Sequence, residues 1–289
     1  RFELEHMAKP RVPPGVPRWQ AEPLNSKTIL IISEQGFGDL FQMLACASRL
    51  TQRGAIVAVQ CHPRLHKLLL ASDLVTQVYD ESGENVQADY YEWLMSCPGK
   101  LHLQAGDVPT TKPWLEPPPD GDDSWKEALG DDQGFKVGLN FQGNPDFPHD
   151  QFRSLDVRNF TPLFEREDVR MVSIQKGFGE DQLDKLPKNA LTAVGHLLDT
   201  GDDAFVDTAR CIHGLDLLIT SDTAVAHLAG AMGCRVWVVL STVVDWRWGI
   251  SGELCSWYPT MRLFRQRNRG DWGPVIDDLM QALDQELTR

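Results

Sequence analysis

The chain is 289 residues long, 42% hydrophobic and 24% charged, with a formal net charge of −13 and a sequence pI near 5.0, the profile of a soluble globular protein with room for two ordinary domains. The acidic balance excludes a nucleic-acid partner, because a phosphate backbone demands a basic surface, but it leaves room for a local basic pocket. No apolar run approaches the roughly 20 residues needed to span a bilayer and no signal pattern opens the chain, so a cytoplasmic protein is expected.

Residues 1–26 carry Pro10, Pro13, Pro14, Pro17 and Pro23 without periodicity and read as a lead-in or linker. The first residue is Arg1, which suggests a piece of something longer. Thr28 to Ile32 is a continuous apolar run of the kind buried on both faces of a parallel sheet. After Ser33-Glu34-Gln35-Gly36-Phe37-Gly38-Asp39, a helical stripe places Leu40, Leu44 and Ala47 together with Met43 and Leu50 beside them. Ile56–Val59 (strand), Pro63–Ala71 (helix) and Val75–Tyr79 (strand) continue the alternation, which implies a parallel sheet with helices on its faces. Residues 106–132, with Pro117-Pro118-Pro119 and a short helical piece at Ser124–Leu129, read as a linker between domains at 27–105 and 133–270. Strands are expected again near Val137–Phe141, Val169–Ile174, Leu191–Val194, Leu215–Thr220 and Val236–Leu240. A last helix over 271–289 has Asp271 as its N-cap. Ligands of such α/β pairs bind at the carboxyl ends of the strands.

The six cysteines are scattered without a Cys-x-x-Cys pair and read as reduced, mostly buried thiols. Neither they nor the eight histidines cluster at ligand spacing, so no metal site is expected.

Several strand ends carry candidate chemistry. Gly36 and Gly38 allow a tight turn and close approach to a ligand, and Asp39 is either the N-cap of the following helix or a general base. A dinucleotide fingerprint is absent, since the third glycine is replaced by Phe41. In Ser221-Asp222-Thr223-Ala224-Val225-Ala226-His227, Asp222 or Ser221 could cap a helix while His227 fills the core. Alternatively, the N–H groups near Thr223 and Ala224, the Thr223 hydroxyl and His227 would hold a diphosphate, with Asp222 on sugar hydroxyls. Gln142-Gly143-Asn144-Pro145 and Gln175-Lys176-Gly177 occupy the same position after other strands. Lys176, Arg153 and Glu180 serve either as surface charges or as ligand contacts. Five of the nine tryptophans lie in the last fifth of the chain, around Asp245-Trp246-Arg247-Trp248, where they pack the terminal segment or border the cleft.

Taken in order, Gly36-Phe37-Gly38-Asp39, Gln142-Gly143-Asn144-Pro145, Ile174-Gln175-Lys176-Gly177 and Asp222-Thr223-Ala224-Val225-Ala226-His227 resemble glycosyltransferase family 9, the ADP-heptose:lipopolysaccharide heptosyltransferases. Asp245-Trp246-Arg247-Trp248 and Trp257-Tyr258-Pro259 are similar to the related domain that follows tetratricopeptide repeats in bacterial proteins. The resemblance implies a GT-B fold, two Rossmann-like domains facing across a cleft, with the last helix packing back toward the first. It also implies Asp39 as catalytic base of an inverting transfer and Asp222, Thr223, Ala224 and His227 on donor sugar and diphosphate. Gln142, Asn144, Gln175, Lys176 and Glu180 would line the nucleotide side, and Arg153 would stand in for a family lysine. Departures are a short first domain, Met43-Leu44-Ala45-Cys46-Ala47 in place of an aromatic-and-arginine stretch, and Ala224 where many relatives carry glycine.

The expected activity is metal-independent transfer of a sugar from a nucleoside-diphosphate sugar, by analogy ADP-heptose, to a hydroxyl of a carbohydrate, lipid-linked glycan or protein, with no cofactor. Two other classes stay open: a non-catalytic sugar-nucleotide or protein-binding module, and a GT-B-fold sugar-nucleotide epimerase.

Overall fold

The computed structural model describes residues 10–104, 107, 110, 112–130 and 134–288. Its first half is a parallel sheet of β1 (Thr28–Ile32), β2 (Ile56–Gln60), β3 (Gln77–Tyr79) and β4 (Tyr90–Trp93) in the order β3-β2-β1-β4. Three of these strands fall in the expected runs: β1 and β2, inside the sheet, are largely apolar because both faces are covered, and β3 is a short, half-exposed edge strand. The fourth, β4, escapes that rule. It is Tyr-Tyr-Glu-Trp at the sheet edge, and the buried Glu92 is neutralised by Arg18, whose Nε and Nη2 donate to Oε1 at 2.9 and 2.7 Å.

Arg18 belongs to the segment read as a lead-in or linker, and residues 10–26 of that segment dock on the first sheet. Trp19 and Leu24 are buried in the core, Trp19 N donates to Tyr91 O at 2.9 Å, and Tyr91 N donates to Pro17 O at 3.0 Å. The prolines break periodicity, but they do not prevent an extended segment from covering the sheet edge.

The helical stripe after Gly38 is two helices, α1 (Phe37–Met43) and α2 (Ala45–Gln52), separated at Leu44. They are followed by α3 (His66–Leu70), α4 (Cys97–Lys100) and α5 (Ser124–Leu129). The expected linker also proves anchored in its described part. Trp114 lies buried between the halves, its N and that of Leu115 donating to Ala231 O, its indole N–H to Phe41 O at 2.6 Å, and its ring stacking on Tyr258 at 5.5 Å.

The second half is a parallel six-stranded sheet in the order β10-β9-β8-β5-β6-β7. Its strands are β5 (Phe135–Asn140), β6 (Val169–Ser173), β7 (Thr192–Ala193), β8 (Leu217–Ser221), β9 (Val236–Leu240) and β10 (Met261–Arg265). Only β10 was unanticipated, since in Met-Arg-Leu-Phe-Arg two arginines interrupt the apolar run at the sheet edge. Helices α6 (Asp150–Arg153), α7 (Thr161–Phe164), α8 (Val206–His213), α9 (Ala224–Ala231) and α10 (Gly273–Leu287) flank it.

Two expectations about the last helix need correction. The N-cap of α10 is Trp272, not Asp271. Its apolar face, Val275, Ile276, Leu279 and Leu283, packs in one core with Val137, Leu217 and Trp237 of the second sheet, not back toward the first half. A second apolar cluster runs across both halves, joining α1 and α2 to α8 and α9, with Phe205 edge-on to Phe37 and Phe41 at 5.8 and 5.1 Å. All six cysteines are free, five of them buried, and burial pushes the Cys46, Cys61 and Cys211 thiols up to about 12. No described helix is long and apolar enough to cross a membrane.

Candidate active site

The two strand–turn–helix units singled out in the sequence face each other. Strand β1 delivers α1 from the first half, and β8 delivers α9 from the second. The helices approach so closely at their starts that a Cβ on Gly38 would lie 2.8 Å from His227 Cδ2 and 3.4 Å from Ala224 Cα. Glycine is required there by contact between the halves. Gly38→Ala is therefore expected to cost about 1–3 kcal/mol through overpacking, read as a lower denaturant midpoint, and to spread the cleft.

Asp39 is not the N-cap of α1. That position is Gly36, and Asp39, three residues on, reaches back so that Oδ2 accepts from Gly36 N at 2.9 Å. Its Oδ1 accepts from Nη2 of Arg247, which lies in a single 3-10 turn, Trp246–Trp248, after β9. The same guanidinium donates from Nε to Gln42 Oε1 at 2.6 Å and from Nη1 to Asp245 Oδ1 at 2.8 Å. Burial pushes the Asp39 carboxyl above the ordinary carboxylate value, opposed by Arg247 and the Gly36 N–H and reinforced by Asp245.

On the facing unit, Thr223 is the N-cap of α9 in extended conformation, and its hydroxyl turns inward to Asn140 Oδ1 at 2.9 Å. It makes no capping hydrogen bond, so among the described residues the first N–H groups of α9 have no side-chain cap, and they lie at the positive end of the helix dipole. The expectation of Ser221 or Asp222 as N-cap is thus not met. Burial raises the Asp222 carboxyl; the Trp248 indole N–H, short of a well-formed hydrogen bond, and Arg153 oppose this. Arg153 donates from Nη1 to Asp222 O at 2.9 Å and pairs with Asp150 at 2.9 Å.

His227 is buried, stacked on Trp248 at 5.0 Å, with Nδ1 sharing a 2.8 Å hydrogen bond with Tyr258 OH. Burial, helped by Arg247 and Arg153, brings its pKa down to about 3, so the ring is neutral at physiological pH. It makes no other hydrogen bond among the described residues, which leaves Nε2 for the cleft.

Gln175 is committed inside the protein. Its Oε1 accepts from Asn140 Nδ2, Phe141 N and Gln142 N at 2.9–3.1 Å, and its Nε2 donates to Gln142 O and Phe178 O. It holds the loops after β5 and β6 together. Gln175→Leu, which strands these groups, is expected to cost about 2–4 kcal/mol, measurable by chemical denaturation.

The remaining candidates lie on the loops after β5 and β6. Gln142 Oε1 accepts from Gln182 Nε2 at 2.6 Å, Asn144 closes its own turn onto Asp146 N, and Glu180 accepts from Gly177 N. Lys176 rests its ammonium on the Leu198 carbonyl. The structure thus brings Gly36, Gly38, Asp39, Asp222, Thr223, Ala224, His227 and Arg153 together and leaves Gln142, Asn144, Lys176 and Glu180 on neighbouring loops. Sequence reasoning missed Asn140 and Gln42 and gave Tyr258 and Trp248 no role of their own. Asn140 was detectable as a polar residue closing an apolar strand.

Two parallel α/β halves facing across a cleft at the carboxyl ends of their strands make this a protein of GT-B-like fold. No family model matches the sequence. A curated relative, Protein FlbA of Caulobacter vibrioides, is 25% identical over 303 residues, covering 93% of this chain and 48% of that protein. The chain spans about half the length of the curated relative it matches. Among solved structures, a family 9 glycosyl transferase from Veillonella parvula superposes with a TM-score of 0.61 at 10% identity, over 92% of this chain and 90% of that one. ADP-heptose lps heptosyltransferase II of E. coli gives 0.59 at 13% identity, over 90% and 99%. TibC of enterotoxigenic E. coli, an iron-containing dodecameric glycosyltransferase, gives 0.61 at 10% identity, over 92% and 78%. Among the described residues no group of three or more His, Cys, Asp or Glu could hold a metal ion.

Proposed function

We propose that this chain is an inverting glycosyltransferase of family 9 type, which moves a sugar from a nucleoside-diphosphate sugar to a hydroxyl acceptor. The observation that carries the reading is the apposition of Asp39 to the start of α9, fixed by the contact of Gly38 with Ala224 and His227. Such an arrangement places a base on one wall of a cleft and anion-binding N–H groups on the other.

The acceptor O–H would give its proton to Asp39 as its oxygen bonds to the anomeric carbon from the face opposite the diphosphate. The bond from that carbon to the diphosphate oxygen breaks, and the charge passes to the leaving diphosphate. There it meets the α9 N–H groups, Nε2 of neutral His227, and the guanidinium groups of Arg153 and Arg247. Asp222 would take the sugar hydroxyls, and Asn140 orients Thr223. Gln142, Asn144, Lys176 and Glu180 would border the nucleotide. The six free cysteines fit a reducing compartment, and the reading is of a cytoplasmic enzyme. ADP-heptose is the first donor to try, on the strength of the heptosyltransferase neighbour. A tetratricopeptide-repeat parent would make a protein the first acceptor to try. Turnover is expected to survive chelator, and loss restored by Mg²⁺ or Mn²⁺ would remove that part of the reading.

A thermal-shift panel of ADP-, GDP-, UDP- and CDP-sugars tests the proposal. One of them should raise the melting point, by about 2.7 kcal/mol of stability at 100 times its Kd. A panel without any shift would overturn it. One observation favours a binding module instead: both Asp39 oxygens are already engaged. Donor binding without turnover on any acceptor would decide for that.

A further inference from the structure

We infer that Arg247 changes partners during the cycle: in the ligand-free chain the Asp39 carboxylate holds it, and the diphosphate of a bound donor takes it over and frees Asp39. This rests on the reading of the cleft as a nucleotide-sugar site.

Arg247 comes from the second half and crosses to the first. Its side chain is 10% exposed, its guanidinium reaches Asp39 and Gln42 on α1, and it returns to Asp245 on its own turn. Gln42 Nε2, fully buried at the same spot, has no hydrogen-bond partner among the described residues. An arginine with several acceptors in one geometry is held more rigidly than a surface ion pair, and a carboxylate tied to it is a weaker base than a free one.

The start of α9 lies beside this pair. Trp248, next in the chain to Arg247, stacks on His227 of α9, and Gly38, next to Asp39, touches Ala224 and His227. A diphosphate on the α9 N–H groups would stand within an arginine's reach and would carry more charge than the single carboxylate it competes with. Asp39 is faced by Arg247 and Asp245 from the turn after β9; the Tyr258 hydroxyl senses both Asp39 and Asp222, and Arg153 and Arg247 act on Asp222 and His227. Arg247 is the cation in direct contact. Its departure strengthens the base at the moment the leaving group is in place, and it puts a planar fork on the oxygens where charge develops.

Titration calorimetry of the whole chain with ADP, GDP, UDP and CDP tests the exchange without turnover. With the tightest of the four, Asp39→Asn should bind about ten-fold tighter than the unaltered chain, because the competitor for Arg247 is gone, and Arg247→Gln about ten-fold weaker. The gain should vanish in the Asp39→Asn/Arg247→Gln double variant. Arg247→Met, which also removes the charge and keeps an unbranched side chain, serves the same comparison where the glutamine variant fails to fold. A gain that persists without Arg247 would mean simple relief of repulsion, and no gain at all would mean a fixed structural pair. Either result overturns the assignment. Failure of all four diphosphates to bind either the unaltered chain or Asp39→Asn would overturn the nucleotide reading itself, and the assignment with it.

Discussion

Asp39→Asn is expected to lower turnover by about 10²- to 10⁴-fold with nucleotide binding retained. Asparagine keeps the shape of the side chain and an oxygen for the Gly36 N–H, so the start of α1 survives, and the variant removes the proton acceptor together with the charge that holds Arg247. The comparison to make is donor hydrolysis and transfer against diphosphate affinity in the same preparation. Undiminished turnover would remove Asp39 as the base. The pH profile gives a second handle. Burial outweighs Arg247 and holds the Asp39 carboxyl above its ordinary value, and the base works only when ionised. The rate should therefore fall as pH drops through that raised value, with the acid limb displaced upward from the usual carboxylate range, and the limb should be missing from the residual activity of Asp39→Asn.

The parallel α/β plan was legible because runs such as Thr28–Ile32 and Val236–Leu240 are apolar throughout and end in polar turns. Both halves of the candidate site, Gly38-Asp39 and Thr223 to His227, were legible as facing units for the same reason: strand ends in such folds point at the cleft. What escaped lies where a tertiary partner alters what a residue can do. Tyr90–Trp93 becomes a strand because Arg18, 74 positions away, neutralises Glu92 and the lead-in covers the edge. Trp114 turns a proline-rich connection into a buried wedge by stacking on Tyr258. Arg247 reaches Asp39 across 208 positions, and no local spacing encodes that pairing. Gln175 shows the converse. Its place after a strand suggested a ligand contact, yet five hydrogen bonds to the protein's own loops commit it to holding them together.

His227 should make the fold acid-sensitive. Its folded pKa of about 3 lies below the 6.5 of an unperturbed imidazole, so between those values the unfolded chain binds a proton that the folded chain does not. The contribution is fully present above pH 6.5 and is lost as pH falls, at on the order of 1 kcal/mol per pH unit. His227→Phe keeps a ring against Trp248 but cannot titrate. It should cost about 1–3 kcal/mol at neutral pH, where Tyr258 OH loses its buried partner. It should also show a shallower decline, so that the two denaturation midpoints converge between pH 7.5 and 4.5. Parallel declines would mean that His227 is not held neutral. The proposed function uses the same neutrality. A neutral imidazole with Nδ1 on the Tyr258 hydroxyl can present one N–H at Nε2 without adding a charge. The cationic character of the cleft then resides in Arg153, Arg247 and the start of α9, and of these only Arg247 is shared with the base.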